Sequence, residues 1–192
     1  MARRLPKLVA FDLDYTLWSL WIDTHIGSSL TRDGDTLNEV HDRFGNIVTF
    51  FRDVPQILHQ LRSAGVVVAA CSRTTATALA RQALSLLLVP PKAGDSHSTA
   101  MPAIKCFDHL EIYPGSKIAH FKQLHKKTGI PYSEMLFFDD EMRNKEVQSL
   151  GGVFCCLVHR GVDNACFEQG LQNWRSQHPK KVLDAAEEKT GV

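Results

Sequence analysis

The stretch LVAFDLDYTLW, residues 8–18, begins with four apolar residues and then breaks on Asp12, Asp14 and Thr16. Four residues are too few for a helix, and continuous apolar character suits a strand covered on both faces. Working outward, three further runs read the same way: residues 66–71 (VVVAAC), 135–138 (MLFF) and 153–158 (VFCCLV). Helical patterns lie between them. Asp53 is placed to cap a helix with Pro55 in its first turn, and Val54, Ile57, Leu58 and Leu61 recur at helical spacing before Gly65. Thr74 or Thr75 is placed to cap a second helix, running to about residue 88 and closed by Pro90 and Pro91. Ser116 is placed to cap a third, with Ile118, Phe121 and Leu124 inward and Gly129 at its end. Residues 141–150 read as a fourth, and Phe167, Leu171 and Trp174 stripe a fifth. Strands alternating with helices predict an α/β protein: a Rossmann-like three-layer α/β/α arrangement around a mainly parallel central sheet.

Two stretches depart from this rhythm. Residues 39–51 read as a small β-hairpin flap after the first strand, with Phe44, Gly45 and Asn46 near its turn. Residues 90–102 (PPKAGDSHSTAMP) read as a turn-rich surface connector. One domain over residues 1–178 and a charged tail over 179–192 complete the expected organisation.

Composition narrows the function classes. Lys plus Arg is 22 and Asp plus Glu is 21, a net charge of 22 − 21 = +1. That balance offers no general attraction for nucleic acid or an anionic membrane, and neither is expected as a partner. No apolar run approaches a membrane span. The basic start, residues 1–7, is followed by an apolar run too short for a signal peptide, so a cytoplasmic location is expected. The five cysteines include no Cys-x-x-Cys pair, which predicts reduced thiols rather than a disulfide framework or zinc site. Cys155 and Cys156 are expected on opposite faces of the last strand.

In open α/β sheets, ligands bind beyond the carboxyl ends of the strands. Asp12 and Asp14 follow the first strand, Ser72 and Arg73 the second, and Asp139 and Asp140 the third. The fourth ends in His159, Arg160 and Gly161, which say less. Crowded carboxylates repel unless a cation sits among them, and oxygen donors suit a hard ion such as Mg²⁺. A serine hydroxyl, a helix N-terminus near Thr74 and the ammonium of Lys117 make an anion site suited to phosphate. Each group alone has a plainer reading. Aspartates form turns and caps, Ser72 enters a helix, and a lysine such as Lys117 is ordinarily solvated. Their convergence on one sheet edge points to phosphoryl transfer.

The order of these motifs resembles the haloacid dehalogenase superfamily of phosphatases. Asp12-x-Asp14-x-Thr16, Ser72, Lys117 and the pair Asp139-Asp140 match its four motifs in sequence. More closely, FDLDYTLW (11–18), SRT (72–74), EIYPGSK (111–117) and FFDDE (137–141) resemble the eukaryotic magnesium-dependent phosphatases, a capless acid-phosphatase type; the match spans about residues 5–175. Residues 90–106 look longer than that family's pattern. The resemblance implies Asp12 as nucleophile and Asp14 as general acid and then base. It implies Mg²⁺ held by Asp12, the main-chain carbonyl of Asp14, and Asp140, with Asp139 supporting that shell or holding Lys117. Ser72, Arg73, Lys117 and the amides of Leu13 and Asp14 would bind phosphoryl oxygens. An aspartate at position 14, where related pumps carry threonine, favours hydrolysis over a stored phosphoryl group.

Neither residues 17–71 nor 74–116 supply a large cap, so an open site is expected. It would admit a phosphorylated protein, phosphotyrosine above all, or a small phosphomonoester; the resemblance also implies phosphorylated sugars. Trp18 and Trp21, with His25 next along, have two readings: an aromatic wall for the leaving group, or packing of the flap onto the core. A receiver-like signalling module that stores a phosphoryl group uses similar residues, but its acidic pair comes first and its acceptor later, the reverse of the order here.

Overall fold

The computed structural model describes residues 4–91 and 99–179. In chain order it comprises β1 (Leu8–Phe11), α1 (Ile22–His25), β2 (Val40–His41), β3 (Ile47–Val48), α2 (Val54–Ser63), β4 (Val67–Ser72), α3 (Thr77–Leu86), β5 (Leu88–Val89), β6 (Met101–Pro102), β7 (His109–Ile112), α4 (Lys117–Thr128), β8 (Met135–Asp139), β9 (Phe154–Leu157) and α5 (Asn164–Gln177). Short 3₁₀ turns add to these, the longest over Met142–Leu150. Five parallel strands form the central sheet in the order β7-β4-β1-β8-β9.

Alternation along the strands divides the core in two. Val9, Phe11, Val68, Ala70, Leu136 and Phe138 face one side, against α2, α3 and α5. Leu8, Ala10, Ala69, Cys71, Met135 and Phe137 face the other, against Phe121 and Leu124 of α4 and Val147 of the 3₁₀ helix. The expected three-layer α/β/α fold with a mainly parallel sheet is what forms, and no large cap interrupts the described residues. Cys155 joins one core cluster and Cys156 packs on the other, as a strand requires, and all five thiols are free. No helix among the described residues is long and apolar enough to cross a membrane.

The four apolar runs fall on β1, β4, β8 and β9. The fifth strand, β7, was not expected. It reads His-Leu-Glu-Ile, and its glutamate is buried because Lys127 (2.5 Å) and the Tyr113 hydroxyl (3.0 Å) satisfy it. The flap hairpin forms from β2 and β3, paired antiparallel. Residues 17–71 also hold α1, a single turn absent from the sequence reading.

Three helix readings need correction. α2 begins where expected, but the Asp53 side chain does not cap it; that carboxylate accepts from the amide of Asn164 at 3.0 Å and from Arg52 at 3.1 Å. α3 starts at Thr77 rather than after Thr74 or Thr75, because Thr74 Oγ1 accepts from the Ala76 amide (3.2 Å) in a tight turn. It ends at Leu86, and Leu88–Val89 pair with Met101–Pro102, so the connector closes as a small ribbon; its residues 92–98 lie outside the described residues. The segment expected as a helix over 141–150 is 3₁₀, ending on Gly151 in the left-handed region (φ 74°). Ser116 caps α4 as expected, accepting from the Ile118 amide at 3.0 Å, and Gly129 closes it with φ 67°. The expected tail lies, beyond residue 179, outside the described residues.

Candidate active site

β1 stays in register one residue past its end: the amide of Asp12 donates to the carbonyl of Phe138 at 2.9 Å. The chain then turns sharply. The carbonyl of Leu13 accepts from Thr16, Leu17 and Trp18, and Tyr15 takes φ 52°, the only positive value off glycine among the described residues. This turn sets Asp12 and Asp14 on the same side of the sheet edge, and both line one cavity of about 130 Å³.

The other strand ends meet them there. Ser72 closes β4, and its Oγ accepts from the amide of Thr74 at 3.3 Å. Lys117 opens α4 and is fully buried. Its ammonium donates to Asp12 Oδ1 (2.5 Å) and to the carbonyl of Cys71, and lies 3.0 Å from Asp139 Oδ2. Asp139 closes β8 behind the cavity; its Oδ1 accepts from the amide of Glu141 and from Asn144 Nδ2, each at 2.8 Å. The lining includes Asp12, Asp14, Ser72, Arg73, Lys117 and Asp140, so the expected side chains converge. Asp139 sits behind them, and Leu13 contributes a buried side chain beneath the turn.

The charges explain one another. Burial pushes the Asp12 carboxyl well above its usual range; Lys117 opposes this, while Asp139 and Asp14 add to it. Burial works against the Lys117 ammonium, but Asp12 and Asp139 outweigh it, and the lysine holds its proton more tightly than usual. Burial lifts Asp14 to about 6, against hydrogen bonds from Trp18 and Ile22. Burial and then Asp139 lift Asp140 to about 6. Several carboxyls that resist ionisation side by side are what a cation would relieve.

The donor set fits a hard divalent ion. Among the described residues no three acidic, imidazole or thiol side chains form a metal-holding cluster. Two carboxylates, Asp12 and Asp140, line the cavity and, with the main-chain carbonyl of Asp14, would make the sparse oxygen set that Mg²⁺ accepts, since it keeps several waters.

The two readings of the tryptophans separate. Trp18 is fully buried, stacks on Phe50 (centroids 6.0 Å apart, 15° between planes) and donates from Nε1 to Asp14 Oδ1 at 2.6 Å. It packs the flap and grips an acid. Trp21 is 51% exposed, lines the cavity and stacks on His25. It forms the wall.

Asn144 is the residue that sequence reading missed. Its amide ties Asp139 to Glu141, and its carbonyl oxygen accepts from Arg73 at 3.0 Å. In sequence it is one polar residue among several in MRNKEVQ, with no spacing to mark it. Asp23 was likewise unmarked; it accepts from the hydroxyl of Thr74 at 3.3 Å and so ties α1 to the entry of α3.

The chain is similar to several known proteins. The family model described as Acid Phosphatase matches residues 4–177. A human protein named magnesium-dependent phosphatase 1 is 41% identical over 185 residues, 96% of each chain. A HAD-like hydrolase superfamily protein of Schizosaccharomyces pombe is 44% identical over 149 residues, 78% of this chain and 84% of that one. At the level of fold alone, the cobalt-bound deoxy-D-mannose-octulosonate 8-phosphate phosphatase of Haemophilus influenzae aligns with a TM-score of 0.51 at 15% identity, over 94% of both chains.

Proposed function

The chain belongs to the acid phosphatase family, within the HAD-like hydrolases, and from that premise we propose that it hydrolyses phosphomonoesters with Mg²⁺ through a phosphorylated Asp12. The magnesium dependence is carried over from the name of the human relative and rests on the oxygen donors described above. When bound, the ion would be held by Asp12, the Asp14 carbonyl and Asp140, and would offset repulsion between the attacking carboxylate and the phosphate dianion.

The residues divide the work. An Asp12 carboxylate oxygen attacks phosphorus while the bond to the leaving oxygen breaks, and Asp14 gives that oxygen its proton. Asp14, now ionised, takes a proton from water; the water oxygen attacks phosphorus and frees Asp12 and inorganic phosphate. Ser72, the Arg73 amide, Lys117 and the amides of Leu13 and Asp14 hold the phosphoryl oxygens. Asp139 holds Lys117 in place.

The observation that carries this reading is the contrast between two aspartates on one turn. Asp12 is gripped by a buried ammonium and Asp14 by neutral N–H donors. Such paired but unequal environments let one carboxyl act as nucleophile and the other as acid. Protein phosphotyrosine or another aryl phosphate is the preferred substrate class, because aromatic rings border the site, Trp21, Tyr15 and Phe51 among them, and no large cap among the described residues restricts access. Phosphorylated sugars are the second reading, favoured by Asp23 and Glu141 on the cavity wall, which can accept from sugar hydroxyls.

The test is phosphate release from para-nitrophenyl phosphate and phosphotyrosine, with Mg²⁺ and with chelator. Multiple turnover that needs metal, and a loss on the order of a thousandfold or more in Asp12→Asn, is expected. Turnover that survives in Asp12→Asn overturns the nucleophile assignment. A single phosphoryl group retained per chain would favour a receiver-like module.

A further inference from the structure

The residues that trail β9, His159, Arg160 and Gly161, have no part in the reaction as described. They wall a second cavity of about 310 Å³, together with Tyr15, Phe51 and Asp140. Asp140 lines both this cavity and the one that holds Asp12, so the two adjoin at a carboxylate of the reaction centre.

The cavity is held by its backbone. The amide of Phe51 donates to Leu17, and that of Val162 to Thr16, each at 2.9 Å, so three loops are tied together. The Phe51 ring lies against Gly161, where an added Cβ would come within 2.2 Å of ring carbons. Tyr15 lines this cavity, and its ring is edge-on to Trp21, which lines the first (centroids 5.1 Å apart, 77° between planes).

The arginines around the two cavities differ: Arg73 and Arg143 line the first and Arg160 the second. Arg143 is taken up by Glu141, at 2.7 and 2.8 Å, and Arg73 by Asn144. Arg160 is exposed, and no hydrogen bond or ion pair to another described residue engages it. A free guanidinium and two aromatic rings on the wall of one cavity, which adjoins the phosphate site at Asp140, are chemistry for a flat group that bears an anion.

We propose that this cavity is a leaving-group subsite, in which Tyr15 and Phe51 flank an aryl group and Arg160 binds a carboxylate carried on it. The assignment rests on the phosphatase reading and deepens it: preferred substrates are aryl phosphates with a carboxylate on the far side of the ring from the phosphate. A solvent-filled gap bordered by an ordinary surface arginine is the competing account.

The experiment compares kcat/KM for 4-carboxyphenyl phosphate and its neutral counterpart, 4-carbamoylphenyl phosphate, in wild type, Arg160→Gln and Arg160→Lys. The wild type is expected to favour the carboxylate about five- to tenfold, chiefly through KM. Arg160→Gln is expected to abolish that preference and Arg160→Lys to keep part of it. No preference in the wild type, or a preference that survives in Arg160→Gln, overturns the subsite. Hydrolysis of neither ester by the wild type fails the phosphatase reading itself, a result distinct from equal hydrolysis of both.

Discussion

Among the described residues, Asp14 is held at one oxygen. Trp18 Nε1 and the amide of Ile22 both donate to its Oδ1, at 2.6 and 3.3 Å, which leaves Oδ2 for the proton that the proposed general-acid role requires. On that proposal Trp18 positions the acid rather than touching substrate. Trp18→Phe keeps the ring stacked on Phe50 and removes only the donor. The expected result is selective. Hydrolysis of alkyl phosphates, whose leaving oxygen needs a proton, falls about tenfold or more. Hydrolysis of para-nitrophenyl phosphate falls far less. A plot of rate against leaving-group pKa measures this as a steeper slope, and an equal loss across the series would mean that Trp18 serves packing alone. At this scale the side chains that converge on the cavity were legible in the sequence, since each is an acid, hydroxyl or amine directly after an apolar run or at a helix start. It did not show their supports. Asn144 and the indole of Trp18 act through contacts that no local spacing announces.

Elements were legible where one local pattern dominated. β1, β4, β8 and β9 are apolar on both faces, and α5 carries its stripe of Phe167, Leu171 and Trp174. β7 escaped because it is an edge strand with a single neighbour, β4, and its buried glutamate is satisfied by Lys127 of α4 and by Tyr113 just beyond the strand. The 3₁₀ segment looked helical because its polar and apolar residues do not discriminate a tight helix from an ordinary one. The flap was legible from its turn, and the turn hangs on one side chain. Burial raises the Asp42 carboxyl, but hydrogen bonds from the Asn46 side chain and the amides of Gly27, Asn46 and Phe44 outweigh this and lower it from 3.8 to about 2. The folded state thus favours the ionised form. Its contribution is complete above about pH 4 and fades as pH falls toward 2. Asp42→Ala should lower Tm at neutral pH, and the gap to wild type should narrow on acidification below about pH 4. A gap that widens on acidification would refute the sign. Amide exchange at Gly27, Phe44 and Asn46 localises the effect to the hairpin.

On the scale of the whole molecule, strand order assembles the site. β1 lies between β4 and β8, so the residues after three strands distant in sequence meet at one edge, and β7 leads into α4 to bring in Lys117. The sequence implied the convergence through the alternation of strands and helices. It gave no account of the second cavity, because that depends on how closely the 158–161 loop approaches Phe51. The same spacing governs the layer beyond β8. Gly170 of α5 faces Phe138, whose ring lies between Phe11 and Phe167 (centroids 5.3 and 5.7 Å away). An added Cβ at Gly170 would come within 2.6 Å of Phe138 ring carbons and 3.4 Å of Cys156 Sγ. Glycine to alanine within a helix ordinarily stabilises by about 0.5–1 kcal/mol. At this position the buried ring cannot swing away, so the helix must lift from the sheet at a cost of about 1–3 kcal/mol. Gly170→Ala is therefore expected to lower Tm by roughly 2–8 °C, reversing the usual sign. Phe138 immediately precedes Asp139 and Asp140, so a lifted α5 should also slacken the acid pair. Thermal melting read beside phosphatase activity separates the cases. A rise in Tm would show that the layers have room to spare. A fall in Tm with a modest loss of kcat is the outcome that a tightly set α5 requires.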